Sequence, residues 1–270
     1  MSIVLTGTRL QDTKIFGLLD DMRHGNIWLW RTVVAMLIGT ALMLVLQFFD
    51  ARLFNGVSVW DKPAKFFLSL AVQFATVSWA LCYMSQIERS QRSINWAVWL
   101  MLIAGWGEIF YIIFRASRAE ASHFNSESLS AVVGYAMMGI GALTLTFSAA
   151  FIGWKLWAKR GAGLWREAAG LGLILGSALG TASALYMSAH QSHWMGGVQT
   201  DAGGLPIFNW SVSGGDLRVA HFVGLHASQI VPLAALSGDR RVVYFAGVAM
   251  ITLTAAIYVM GMTGNPLFKA

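Results

Sequence analysis

The feature that most constrains the fold is a series of seven apolar stretches separated by short polar segments. They cover residues 29–49, 65–85, 95–115, 130–153, 168–189, 217–236 and 242–262. A helix of about 20 apolar residues crosses roughly 30 Å of hydrocarbon. Because a backbone inside a bilayer must satisfy its own hydrogen bonds, runs of this length indicate helices. The sequence therefore predicts an all-α, polytopic membrane protein built as a seven-transmembrane-helix bundle.

The overall composition leads to the same interpretation. Of the 270 residues, 56% are hydrophobic and 12% are charged, and the mean hydropathy is +0.59. Such a chain has too little polar surface to cover a water-soluble globule, so a large soluble helical core is disfavoured. The lipid bilayer is therefore the first predicted partner.

The N-terminal segment, residues 1–28, differs from the rest of the chain in its charge. Its charged side chains and the lack of a short apolar core with a cleavage site are unlike a signal peptide. We predict a cytoplasmic segment, part of which lies on the membrane surface as an amphipathic helix. Without an internal repeat or a low-complexity linker, residues 29–270 are predicted to form a single transmembrane domain.

The distribution of lysine and arginine predicts the orientation. With a cytoplasmic N-terminus, the cytoplasmic segments would hold most of the basic residues, whereas the longest opposite loop, 190–216, contains none. The prediction is therefore a cytoplasmic N-terminus and an extracytoplasmic C-terminus. The isoelectric point near 9.7 is attributed to this topology and to anionic headgroups. No basic and aromatic pattern typical of nucleic-acid binding is present, so no nucleic-acid partner is predicted.

Small residues and one proline predict how two of the helices pack. Gly172, Gly176, Gly180 and Ala184 recur every four residues, which favours close approach by another helix. Pro232 removes a helical hydrogen bond and predicts a kink in the sixth span. The single cysteine excludes an intrachain disulfide.

Polar residues within the second span form one predicted face. Ser69, Gln73 and Thr76 lie at helical spacing and are expected to point into the bundle. Two interpretations are open for each of them, a hydrogen bond to another helix or contact with a ligand.

Glu108 is the only acidic residue well inside a predicted span. Even a modest scale assigns a cost of roughly 3 kcal/mol to such a carboxylate. Tyr111 follows on the same face, so a hydrogen bond to it, or protonation, would explain the residue structurally. The functional alternative is a site, because intramembrane carboxylates often mark one.

Five of the six histidines fall on or near the predicted outer side: His123, His190, His193, His221 and His226. If the fifth helix continues beyond its apolar stretch, His190 and His193 share a face. A spacing of five puts His221 and His226 about 140° apart on a regular helix, so they would address different neighbours. As a group they are candidates for metal or heme ligation.

Two classes of function follow from these residues. The first is a His/Glu-lined site near the outer membrane face that binds heme b or a divalent metal for redox chemistry or sensing. The alternative is a proton-coupled small-solute transporter or sensor without a cofactor, and a further one is a structural subunit of a membrane complex or a homo-oligomer. Whether the protein is an enzyme is left open.

The candidate residues of this site can be grouped by role. Heme ligands are sought among His190, His193, His221 and His226, and metal ligands among Glu108, His123, His190, His221 and His226. The pocket around them is predicted to include Gln73, Tyr111, Asn125, Asp216 and Arg218. For Asp216 the alternative is an N-cap of the sixth span. The glycine-rich segment before it suits a lid over an outer pocket that admits a small-molecule ligand.

Three short motifs carry a resemblance to a known group. They are Asp61-Lys62-Pro63-Ala64-Lys65-Phe66, Ser122-His123-Phe124-Asn125 and the segment 214–226, which reads GGDLRVAHFVGLH. Together they resemble a group of uncharacterised bacterial multi-pass membrane proteins. This resemblance implies a bacterial inner membrane location and a seven-helix bundle. It gives no indication of an activity. Microbial rhodopsins need a lysine in the last span, which residues 242–262 lack. Alkaline ceramidases space their paired histidines differently.

Overall fold

The structure of the protein is a computed structural model that describes residues 15–269. Helices dominate this part of the chain, and the strands are only two residues long. The helices are α1 Ile15–Gly25, α2 Ile27–Phe49, α3 Asp61–Leu81, α4 Gln86–Arg89, α5 Arg92–Ser117, α6 Leu129–Trp157, α7 Leu164–His190, α8 Leu217–Leu225, α9 Ala227–Leu233 and α10 Arg240–Met262. The all-α prediction is confirmed.

Within the described residues, six helices are long and apolar enough to cross a membrane: α2, α3, α5, α6, α7 and α10. The pair formed by α8 and the following segment 227–237 passes the same test together, with a bend of 42° between its halves. The structure thus gives six straight candidate spans and one broken one, as expected of a multi-pass membrane protein.

The predicted boundaries agree with the observed ones to within four residues, and only the second span is displaced as a whole. That span is predicted at 65–85, but α3 is Asp61–Leu81. The prediction excluded the charged residues before Lys65. Two local features favour a helix here. Asp61 forms an ion pair with Lys65, one helical turn later, at 2.6 Å. Pro63 occupies an early helical position, where its missing N–H costs nothing.

The loops gather at two ends of the bundle. One end, called here the hairpin end, holds the strands β1 Leu53–Phe54 and β2 Val57–Ser58 together with the loops 118–128 and 191–216. The two-residue turn Asn55–Gly56 has positive φ at both positions, as tight hairpins require. Thr200 Oγ1 donates to the carbonyl of Asn55 at 3.0 Å, which fastens loop 191–216 to this hairpin. In the same loop, β3 Trp194–Met195 pairs with β4 Gly215–Asp216.

The opposite end, called here the α1 end, is held by α1 and by an ion-pair network. Ser78 of α3 donates to the carbonyl of Met22 at 2.5 Å, so α1 packs on the bundle. The location of an amphipathic helix of residues 1–28 on the membrane surface stays a prediction. Residues 1–14 of this segment lie outside the described residues. Nearby, the carboxylate of Glu88 accepts from Arg166 at 2.9 Å and pairs with Lys159 at 2.9 Å.

The Glu88 network predicts an acid-sensitive contribution to stability. The hydrogen bond from Arg166 is the largest cause that holds the pKa of Glu88 well below its usual range. A lowered folded-state pKa stabilises the protein above the unfolded-state value and loses this effect as the pH falls. We expect the free energy of unfolding in detergent to decline from about pH 6 to about pH 3, and this decline to be smaller in Glu88→Gln. The exposed Glu127→Gln is the control; an equal decline in Glu88→Gln would contradict the assignment.

The predicted glycine face of α7 packs against the broken span. A Cβ at Gly176 would lie 2.0 Å from Ser228 Oγ and 2.8 Å from the carbonyl oxygen of Leu225. A Cβ at Gly172 would lie 2.8 Å from Pro232 Cδ, and one at Gly180 would lie 2.3 Å from a Leu225 methyl group. The small-residue stripe therefore brings α7 into close contact with both α8 and α9, as the sequence predicts.

The bend of the sixth span lies at His226, six residues before the predicted position at Pro232. The carbonyl oxygen of Phe222 accepts from both the backbone N–H and Nδ1 of His226, at 3.1 Å and 2.8 Å. A side chain that inserts into the helical ladder is a recognised cause of bending. Pro232 lies inside α9, and the chain continues as a 3₁₀ turn, Ala234–Ser237.

Candidate functional site

The first turn of α3 places Lys62 among groups from other elements at the hairpin end. Its Nζ lies 3.1 Å from Nδ1 of His123, which belongs to loop 118–128. Ser122 Oγ is also 3.1 Å from this nitrogen. An ammonium group can only donate, so Nδ1 of His123 accepts and the neutral ring carries its proton on Nε2.

Two further histidines are near enough to His123 to affect its ionisation. Together with Lys62 they form what we call the Lys62 cluster: Lys62, His123, His193 and His221. The ionisation of His123 responds to the charges of the other three members. Burial, reinforced by the charge of Lys62, holds the pKa of His123 well below its usual range. This imidazole is therefore neutral near pH 7.

His193 enters the cluster from loop 191–216. Its ring lies 4.0 Å from that of Trp194 and 6.3 Å from that of Phe124. Burial first, and then the charge of Arg218, lowers the pKa of His193 to about 3, against the opposing effect of Asp216. Nε2 of His193 is buried and has no hydrogen-bond partner within residues 15–269. Such an atom costs free energy unless a partner reaches it.

His221 reaches the cluster from α8. Its Nδ1 donates to the carbonyl oxygen of Gly180 at 2.9 Å, across the glycine face of α7. This bond fixes the tautomer, since a carbonyl only accepts, and leaves Nε2 of the neutral ring as an acceptor. His226 instead packs on Phe222, with ring centroids 4.0 Å apart. The two histidines thus address different neighbours, as their spacing predicts.

Arg218 holds the loop that carries His193. Its guanidinium donates to Asp201 at 2.7 Å, to Asp216 at 2.7 Å and to the carbonyl oxygen of Asn209 at 2.8 Å. Asp216 accepts from the backbone N–H of Arg218 as well, so the predicted N-cap is confirmed. Arg218 and Asp216 therefore position the loop, and the guanidinium lies 5.8 Å from the centroid of the Trp194 ring.

Glu108 lies within α5 and is 6% exposed. Its carboxyl group packs against α6, where a Cβ at Gly141 would lie 2.5 Å from Oε1. Neither this Oε1 nor the hydroxyl of Tyr111 has a hydrogen-bond partner in the described part of the chain. The hydrogen bond between Glu108 and Tyr111 considered from the sequence is thus not formed. The charges of Lys62 and Glu108 interact at longer range, and the two groups form no ion pair within residues 15–269.

The remaining predicted site residues lie apart from the cluster or serve the backbone. Helix α7 ends at His190 because Gln191 adopts a left-handed conformation. His190 is therefore exposed beside Tyr186, with ring centroids 5.9 Å apart, and does not share a helical face with His193. Asn125 is buried and donates to the carbonyl oxygen of Ala121 at 3.1 Å, so it shapes loop 118–128.

The polar face of α3 is only partly turned inward. Thr76 is buried and accepts from Gln229 Nε2 of α9 at 2.8 Å, which fulfils the interhelical interpretation. Gln73 is half-buried, whereas Ser69 is exposed, contrary to the prediction. The exposure of Ser69 follows from its position on the side of α3 that also exposes Leu68.

Lys62 is the central residue that sequence reasoning did not assign to the site. The lysines of the segment 61–65 enter the sequence analysis only as part of a motif, without a role in the site. Lys65 does pair with Asp61, but Lys62 contacts His123 instead. A spacing of three residues puts the two lysines on the same side of a regular helix, so no sequence signal separates them, and the contact with loop 118–128 depends on tertiary packing.

The donor set for a metal ion is incomplete within residues 15–269. No group of three or more His, Cys, Asp or Glu side chains there is arranged to hold one.

No protein-family model matches the chain, and no curated protein and no solved structure matches it either. The function of the chain is therefore inferred from the geometry of the site.

Proposed function

We propose that this chain is a membrane transporter or sensor without a cofactor, in which a small solute binds at the Lys62 cluster and Glu108 links its response to protons. The observation that carries the proposal is the buried carboxyl group of Glu108, whose Oε1 has no hydrogen-bond partner among the described residues. Intramembrane carboxylates that interact with a basic partner are typical of proton-linked sites.

The broken span supports this proposal. α8 carries His221 into the cluster, while α9 begins directly after the bend and contacts α3 through Gln229 and Thr76. Broken helices in transporters surround solute sites, because irregular backbone is tolerated where it lines a polar region. A change at the cluster can therefore reach the interior of the bundle through a single bent element.

The orientation and location form part of the same proposal. The α1 end holds the ion-pair network and most of the described basic residues, so we place it in the cytoplasm by the positive-inside rule. The hairpin end then faces outward and admits the solute. The resemblance of the three sequence motifs supports a bacterial inner membrane with seven spans, counting α8 and α9 as one.

Glu108→Gln tests the proposed proton linkage. We expect wild-type protein in lipid nanodiscs to change its hydrogen exchange in loop 191–216 between about pH 8 and about pH 5, and the variant to lose most of this change. The amide keeps the size of the side chain but cannot ionise. Glu127→Gln, which changes an exposed glutamate of loop 118–128, is the control. An unchanged pH response in Glu108→Gln would reject the proposal.

Heme b bound by two histidines is the second candidate, and one observation favours it. Nδ1 of His221 and Nδ1 of His226 each bond to a backbone carbonyl oxygen, at 2.9 Å and 2.8 Å. This arrangement orients an imidazole so that Nε2 is free to bind a metal. An absorbance spectrum and elemental analysis of the purified protein separate the candidates: a Soret band lost in His221→Ala would establish the heme and reject a cofactor-free site.

A further inference from the structure

We infer that the solute held at the Lys62 cluster is a small organic carboxylate, whose anionic group binds the Lys62 ammonium. This inference rests on the proposed function of the same site and adds the chemical class of its ligand.

The acidic groups near Lys62 are mostly engaged by other cations. Asp61 pairs with Lys65 and accepts from Asn209, both within 2.8 Å. Asp201 and Asp216 are both bound by Arg218 at 2.7 Å. These contacts leave Lys62 without a close ion pair among the described residues, where Glu108 also forms no ion pair and its Oε1 has no hydrogen-bond partner. A half-buried ammonium gains from such compensation, because desolvation of an unpaired charge is costly.

The other groups around Lys62 are hydrogen-bond donors or neutral rings. His123 is neutral and carries its proton on Nε2, and Nε2 of His193 is buried without a partner in the described chain. His221 is oriented by Gly180, and the positive Arg218 also interacts with Lys62. An anion that accepts from Lys62 and from an imidazole N–H would satisfy both the spare charge and the unpartnered ring nitrogen.

Aromatic rings around the cluster favour an organic anion over a strongly hydrated inorganic one. The Phe66 ring lies 5.7 Å from that of His123, and the Tyr135 ring lies 5.8 Å from it. Phe124 lies between the histidines of the two loops, at 6.1 Å from His123 and 6.3 Å from His193. Aromatic side chains stabilise a bound ligand by covering its apolar part, while a few polar groups fix its charged end.

The position of Glu108 gives the binding a direction with pH. When Glu108 is ionised, its charge compensates that of Lys62. When Glu108 is protonated, Lys62 is available to an added anion. Uptake of one proton and one carboxylate at this site therefore leaves its net charge unchanged, which makes the two events mutually favourable.

Propionate is a suitable probe, since it joins a carboxylate to a short apolar body. We expect sodium propionate to raise the melting temperature of the purified full chain in detergent more than sodium chloride at the same ionic strength. Apparent affinity should rise from about pH 8 to about pH 6, a range in which propionate itself stays ionised. In Lys62→Gln we expect about a tenfold loss of affinity, since an ion pair of roughly 1.4 kcal/mol is removed.

Lys65→Gln is the matched control, because it removes the same charge from the same helix turn but from the pair with Asp61. It should bind propionate within about twofold of wild type, and Lys62→Arg should retain part of the binding. If Lys62→Gln fails to fold, Lys62→Arg and Glu108→Gln still test the inference, the latter by binding propionate without pH dependence.

The outcomes separate the two proposals. An equal effect of chloride and propionate, or wild-type binding by Lys62→Gln, rejects the carboxylate class even when the Glu108-dependent exchange of loop 191–216 persists. Conversely, pH-independent binding of propionate that requires Lys62, together with an unchanged exchange response in Glu108→Gln, retains the ligand class and rejects the proton linkage.

Discussion

Gly176→Leu is expected to destabilise the bundle strongly, by roughly 3 kcal/mol or more. Even the first added carbon would lie 2.0 Å from Ser228 Oγ and 2.8 Å from the carbonyl oxygen of Leu225. A hydroxyl can rotate away, but the carbonyl belongs to the backbone at the bend of the sixth span. The helices α7 and α9 must therefore separate. Thermal unfolding in detergent measures the effect.

Gly107→Leu provides the matched control for this prediction. Gly107 also lies inside a spanning helix, yet a Cβ there would meet no atom within 4 Å. The residue is exposed on α5, so the leucine would face the bilayer. We expect its unfolding temperature to stay close to that of wild type. Equal losses in the two variants would show that the close contact between α7 and α9 is not the cause.

Arg218→Gln is the second substitution with a large expected effect. Removal of the guanidinium leaves Asp216, which is 4% exposed, without its ion pair. It also frees Asp201 of loop 191–216, which Arg218 holds at 2.7 Å. Removing one partner of a buried pair typically costs about 3 to 5 kcal/mol, because the other charge stays uncompensated. Protease cleavage within this loop, followed alongside thermal unfolding, should become much faster.

Arg118→Gln is the control for the loss of an arginine. Its side chain is 57% exposed and pairs with Glu120 at 3.0 Å. Exposed ion pairs contribute at most about 1 kcal/mol.

The double variant Arg218→Gln with Asp216→Asn should recover part of the lost stability, because it removes the uncompensated charge. Stability unchanged in Arg218→Gln would refute the role of this network in holding the loop.

The helices could be predicted from the sequence because lipid imposes both their length and their apolar character. The glycine stripe of α7 could also be predicted, since a four-residue spacing places Gly172, Gly176 and Gly180 on one face. Asp216 was recognisable as an N-cap because its role depends only on residues next to it. Local periodicity and local capping are sufficient for features of this kind.

The arrangement of the site could be predicted only in outline. Glu108 and the histidines could be identified as candidates because burying polar groups costs free energy. Their contacts could not be predicted, because these depend on tertiary packing. One left-handed residue, Gln191, separates His190 from His193. The bend at His226 follows from a side-chain contact with Phe222 rather than from proline. The inward position of Lys62 follows from the placement of loop 118–128, which no single segment encodes.

The broken span also has a consequence for biogenesis. α8 has 9 residues and α9 has 7, so each half is shorter than the bilayer is thick. Together they bring Arg218, His221 and Gln229 towards the interior, which makes this segment a poor substrate for independent insertion by a translocon. We expect it to enter the membrane only alongside α7, whose glycine face receives its backbone. Chains in which Gly172, Gly176 and Gly180 are replaced by leucine should leave the segment outside the lipid.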